Sequence, residues 1–220
     1  MGVLVASTTT PFAASQAPVD AALAARITGR SWRPHPRAPA LDALTYLRAR
    51  HRTLDGGVAD GELVVATVAA PATVTLLARL YAIGFPLASL RLVDDFDADD
   101  DRSMEADNSS ALNVRTIAGS ATLSEHALGI ALDLNPRENP MVWPGGARFV
   151  PAAGAPFLDR TRRSPGMIVR PGPVTAILDE LGWEWGGDWN HVADLHHLVW
   201  RDAPGGGIRG SRPATAAAPR

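Results

Sequence analysis

Four side chains in two short stretches have the types and spacing to work on an amide bond. His126 and Asp133 stand seven positions apart in Ser124-Glu125-His126-Ala127-Leu128-Gly129-Ile130-Ala131-Leu132-Asp133-Leu134-Asn135, and Asp194-Leu195-His196-His197 follows about sixty residues later. A catalytic zinc takes three protein ligands, histidine nitrogens or a carboxylate oxygen at roughly 2.0–2.2 Å, and leaves a fourth position open for water. His126, Asp133 and His197 fit that need, with His196 and His191 competing for the last place. Adjacent residues on a strand face opposite sides, so His196 and His197 do not both turn to one metal. Such a metal turns water into a nucleophile when a base accepts the proton. Asp194, three residues before His197, is placed for that role or, alternatively, for orienting an imidazole from behind.

Other chemistries are excluded by composition. The chain has no cysteine, which rules out a disulfide framework, a thiolate zinc site and a cysteine nucleophile. No G-x-S-x-G elbow is present for a serine hydrolase. With 21 basic and 23 acidic residues and a net charge of −2, there is no electrostatic footprint for nucleic acid. The acidic run Asp94 to Asp101 invites a calcium-loop reading, but counting from Asp95 puts Asp100 where the loop needs glycine and Ala106 where it needs glutamate. We therefore expect a solvated acidic loop.

The elements that must position these residues read as one domain, since 220 residues with 46% hydrophobic composition bury a sizeable core. Asp20 caps a short helix to Ile27. Leu41 to His51 is ambiguous between helix and strand. Asp55-Gly56-Gly57 marks a turn before a strand from Glu62 to Val68, which suggests a hairpin. A helix starts at Pro71, with Val74, Leu77 and Leu80 or Tyr81 on one face, and ends at Gly84 and Pro86. Short strands are expected at Leu90 to Val93, Ala111 to Ile117 and Ile130 to Leu134, the last delivering Asp133. His126 then lies on the preceding connection, with Gly129 allowing close backbone approach. The stretch from Pro136 to Pro173 reads as a rim of the cleft. Val174, Ile177, Leu178 and Leu181 form a helical stripe capped by Gly182, and Trp183 and Trp185 follow at strand spacing.

The first twenty residues lack Lys and Arg and hold only the brief apolar run Val3 to Ala6, a poor match to a secretory signal. No apolar stretch reaches the ~20 residues of a bilayer span, so no transmembrane segment is expected. Residues 1–30 read as a partly disordered N-terminal extension. The Gly, Pro, Ala and Arg-rich tail 201–220 reads as disordered, and a monomer is expected.

The pattern S-x-H-x-x-G-x-A-x-D-x-N of residues 124–135, with the later W-x-W-G-G-D-W and D-x-x-H, resembles the zinc D-Ala-D-Ala carboxypeptidases and L-Ala-D-Glu endopeptidases, the M15 peptidases of peptidoglycan. The similarity covers about Trp32 to Trp200, so that residues 31–200 form the peptidase-like domain. It implies an α+β fold with a central antiparallel sheet and flanking helices, the Hedgehog/DD-peptidase-like zinc fold. It also implies Zn2+ on His126, Asp133 and His197, a catalytic base at Asp194, and a peptidoglycan stem peptide as substrate, with action at the cell wall. Arg115, which by itself also reads as a surface partner of the acidic run, is implied to bind substrate and stabilise the oxyanion. Ser124 is either a turn residue or a hydroxyl contact to substrate. Among Trp183, Trp185 and Trp189 one is expected at the pocket wall, with Trp185 assigned to it. Leu198 departs from the family, which usually has an aromatic after the second histidine. A rival reading is a non-catalytic wall-binding module whose zinc is closed by a fourth ligand such as His196 or His191.

Overall fold

In the computed structural model, residues 10–201 are described. The elements are β1 (Ala14–Pro18), α1 (Ala21–Ile27), β2 (Leu44–Arg52), β3 (Val58–Ala66), α2 (Ala70–Ala82), α3 (Asp100–Glu105), β4 (Ala131–Asp133), β5 (Met141–Val142), β6 (Phe149–Val150), α4 (Pro173–Glu180), β7 (Trp183–Trp185), β8 (Ala193–Asp194) and β9 (His197–Trp200). The class is α+β. Instead of one central sheet there are three antiparallel sheets of three strands, ordered β1-β2-β3, β4-β9-β7 and β6-β5-β8. The physical reason lies in the second half, where the chain between Asn135 and Pro173 is broken repeatedly by proline, which has no N–H to extend a ladder.

The ambiguous stretch 41–51 resolves into a 3-10 turn, Leu41–Ala43, followed by β2, which forms the expected hairpin with β3. Period-two alternation gives this sheet two apolar faces. Leu47, Ala49, Leu63 and Val65 pack with Leu76, Leu77 and Leu80 of α2 and with Val174, Ile177 and Leu178 of α4 in the main core. On the opposite face Leu44 and Val64 meet Ile27 of α1. Helix α1 starts as expected, with the Asp20 carboxylate accepting from Leu23 N at 2.8 Å. Its Arg26 reaches Glu62 and Asp95, each at 2.6 Å. Thus β1 and α1, both within the stretch read as an extension, are built onto the first sheet. The tail from residue 202 lies outside the described residues.

Three local expectations need correction. Leu90 to Val93 is not a strand: Leu90 makes one isolated bridge, to Ser109, and Val93–Phe96 coils into a 3-10 turn. Ala111 to Ile117 is extended but belongs to no sheet. Its amides serve unrelated partners, Leu112 N donating to Val64 O, Asn113 N to His126 O and Val114 N to Ser31 O. The acidic run is only partly solvated. Asp94 is buried and accepts from Ser31 N at 3.2 Å, Asp95 takes Arg26 and Arg91, and Asp99 caps α3 by accepting from Arg102 N.

Candidate metal and catalytic site

His126 is delivered by a 3-10 turn, Glu125–Leu128, pressed against the end of β3. Gly129 makes this approach feasible. Its φ is +67°, and a Cβ there would come within 2.5 Å of Ala66 N. Its carbonyl instead accepts from Ala66 N at 2.9 Å. Ser124 sits at the start of the turn, where its hydroxyl accepts from His126 N at 3.3 Å. Of the two readings of Ser124, the structure shows the turn role. His126 Nδ1 donates to Ala111 O at 2.6 Å, so Nε2 keeps its lone pair for the interior of the site.

Asp133 and His197 are brought together by register. They are paired directly across β4 and β9, and paired residues of an antiparallel ladder project to one face. Their neighbours Leu132 and Leu198 project to the other face and are buried in the core. Leu198 is therefore a core residue. His126 Nε2, Asp133 Oδ1 and His197 Nδ1 form a triangle with every edge 3.1 Å. All three residues are at least nine-tenths buried.

The electrostatics match this crowding. Burial disfavours charge on His126, but the Asp133 carboxylate outweighs it and raises the imidazole pKa. Burial would likewise raise Asp133, yet His126 and His196 hold its carboxyl well below the usual range. Two lone-pair nitrogens and a carboxylate oxygen at such separations call for a shared positive charge at their centre. Zinc at roughly 2.0–2.2 Å from each atom is compatible with the triangle.

Around the outer nitrogen of His197 lies a polar arc. Glu125 Oε2 is 3.9 Å from His197 Nε2, Arg201 reaches Glu125 at 3.5 Å and holds Glu184 with two hydrogen bonds of 2.8 and 2.9 Å. Trp189 Nε1 donates to Glu184 at 2.7 Å while its ring lies 5.4 Å from that of His197. Glu125, Glu184 and Arg201 escape sequence reasoning, although Glu125 adjoins His126 and Glu184 stands between two core tryptophans on β7. The tryptophan facing the histidines is Trp189. Trp185 is buried in the main core and its indole donates to Leu195 O at 2.9 Å. His191, exposed, stacks on the Trp189 ring at 5.7 Å.

Asp194 lies on β8, paired with Met141. The 3-10 turn after Trp185 passes against it only because Gly186 has no side chain: a Cβ would stand 2.6 Å from Asp194 O and 3.3 Å from His197 Cβ. Asp194 Oδ1 is 3.0 Å from His196 Nε2, close enough for charge attraction but without the alignment of a full hydrogen bond. His196 turns away from the triangle, with Nδ1 donating to Asn139 O at 2.8 Å. Burial works to lower its pKa, but Asp194 and Asp133 overcome this and push it up to about 10.

Arg115 projects from the segment that brackets His126. Its guanidinium pairs with Asp100 Oδ2, its Nη1 donates to Thr116 O at 3.4 Å, and its Nε is buried without a partner. Its charge reaches His126, lowering that pKa, while Asp100 raises it. Arg115 is thus both a partner of the acidic run and a neighbour of the triangle.

A buried His-Asp-His triangle with a carboxylate three residues from one corner is equipment suited to metal-dependent hydrolysis. Residues 118–200 match the M15 peptidase family model described as D-alanyl-D-alanine carboxypeptidase. The matched segment spans both motifs, and the resemblance read from them is borne out. The segment contains the triangle and Asp194, and Arg115 stands just ahead of it. No curated protein and no solved structure matches the chain.

Proposed function

We propose that this chain is a zinc peptidase that hydrolyses an amide beside a D-amino acid in the peptidoglycan stem peptide, as a D-Ala-D-Ala carboxypeptidase or an L-Ala-D-Glu endopeptidase. The carrying observation is the buried triangle of His126, Asp133 and His197 within the matched segment. Those three residues would hold the zinc, which when bound supplies a Lewis acid and an acidified water. Asp194 accepts the proton of the attacking water and returns it to the leaving amine. Arg115 steadies the negative charge that develops on the carbonyl oxygen, or a carboxylate of the substrate. Trp189 forms one wall beside His197. In this reading the chain has the Hedgehog/DD-peptidase-like zinc fold and works as a monomer.

The wall-binding alternative requires a closed metal. Among the described residues no fourth histidine or carboxylate joins the group, and His196 is turned to Asn139 and Asp194.

Digestion of purified peptidoglycan and of an isolated stem pentapeptide, with and without chelator and read by mass spectrometry, tests the proposal. Loss of one terminal alanine marks the carboxypeptidase and a cut between L-Ala and D-Glu the endopeptidase, each abolished by chelator and restored by zinc. Intact substrates in the presence of zinc-loaded protein would overturn the enzymatic reading.

A further inference from the structure

We propose that His196 is a positioning residue for Asp194, fixing the carboxylate through one oxygen. The inference rests on Asp194 being the general base. An aspartate χ2 torsion is broad and settles only where a partner holds it. Asp194 Oδ1 is buried and has no hydrogen-bond donor. Its close polar neighbour is His196 Nε2 at 3.0 Å.

The imidazole is itself anchored. His196 is 3% exposed, and its Nδ1 donates to Asn139 O at 2.8 Å. Asn139 in turn is held by its own side chain, Nδ2 donating to Leu134 O, Asn135 O and Gly166 O and Oδ1 accepting from Ile168 N and Arg160 Nη2. A rigid backbone carbonyl therefore sets the ring, and the ring sets the carboxylate. A buried imidazole whose two nitrogens both face polar atoms is more specific than hole-filling requires, since an apolar side chain of similar volume would fill the space without desolvation cost. Poor alignment of the contact in the resting chain is common for groups that tighten when substrate is bound.

The test compares His196→Ala, His196→Gln and Asp194→Asn in the zinc-loaded chain, with zinc content measured for each. His196→Ala should lower kcat by roughly 10–100-fold, the size typical of lost outer-shell support, with KM within about twofold and zinc retained. His196→Gln, which keeps an N–H donor, should recover most of that loss. In an Asp194→Asn background His196→Ala should cost nothing further. Independently of turnover, the metal-free chain should show a strongly deshielded imidazole N–H proton by NMR that moves upfield in Asp194→Asn. Multiplicative losses in the double variant, or Gln no better than Ala, would overturn the positioning role and leave the base standing. Unchanged turnover in Asp194→Asn alone would remove the base, and the positioning role with it.

Discussion

The two halves of the molecule are held together by different means. In the first, β2 and β3 run nine residues each in continuous register, and apolar side chains on both faces of the sheet supply the burial. In the second, the strands are two to four residues long, and buried amide side chains tie the backbone instead. Asn139 makes five side-chain hydrogen bonds. Asn135 joins Ala88 N, Pro86 O and Gly166 O. A ladder spreads its stability over many equivalent bonds, whereas an amide hub concentrates it. The site belongs to the second kind of structure, where irregular backbone can be aimed.

The sharpest way to break this contrast is Asn139→Ala. It strands Ile168 N and Leu134 O in the interior, where each unmet group costs on the order of 1–3 kcal/mol, so we expect a loss of about 4 kcal/mol by denaturant titration. A loss below about 1 kcal/mol would mean the hub is not what holds this half. Gly129→Ala attacks the junction of the halves. A side chain at φ +67° and 2.5 Å from Ala66 N should cost roughly 2–3 kcal/mol and, in the proposed zinc peptidase, weaken metal binding by displacing the turn of His126, both measurable by calorimetry.

A subtler probe is Glu138, beside Asn139. Burial, followed by its hydrogen bond and charge interaction with Asp107, pushes its pKa up to about 8. A carboxyl raised on folding favours the folded state while protonated. Its contribution is present below the ordinary carboxylate pKa of about 4.3 and fades as pH rises through about 8. The thermal midpoint should fall over that window and fall less in Glu138→Gln. Equal slopes in both proteins would show that the pair does not share a proton. The smallest effect is expected in the first half: Arg50→Ala removes an exposed pair with Asp60 and should leave the midpoint within experimental error.

The same contrast decides what the sequence displays. Asp20 at a helix start, the Gly-rich turn before β3 and the stripes of α2 and α4 are local patterns, and local patterns are legible. The spacing of His126 and Asp133 is local too, and Gly129 announces a close approach. The convergence on His197 depends on the β4 and β9 register, which no short window contains. His196 faces Asn139, distant in sequence, so its orientation could be argued only by strand alternation. Alternation likewise cannot say whether Trp185 or Trp189 meets the histidines, because a 3-10 turn intervenes. Ala111 to Ile117 has the composition of a strand, but its backbone bonds are scattered over several segments and form a single isolated bridge, Thr116 to Leu123.

Leu198 can be viewed as a guard against misreading. A one-residue slip of β9 would place His196 opposite Asp133 and force His197 into the fully buried position of Leu198, exchanging the two faces of the strand. An imidazole among leucines is penalised. The error that would present the wrong histidine to the carboxylate is therefore rejected by the core, at the moment of folding and with no metal needed to check it.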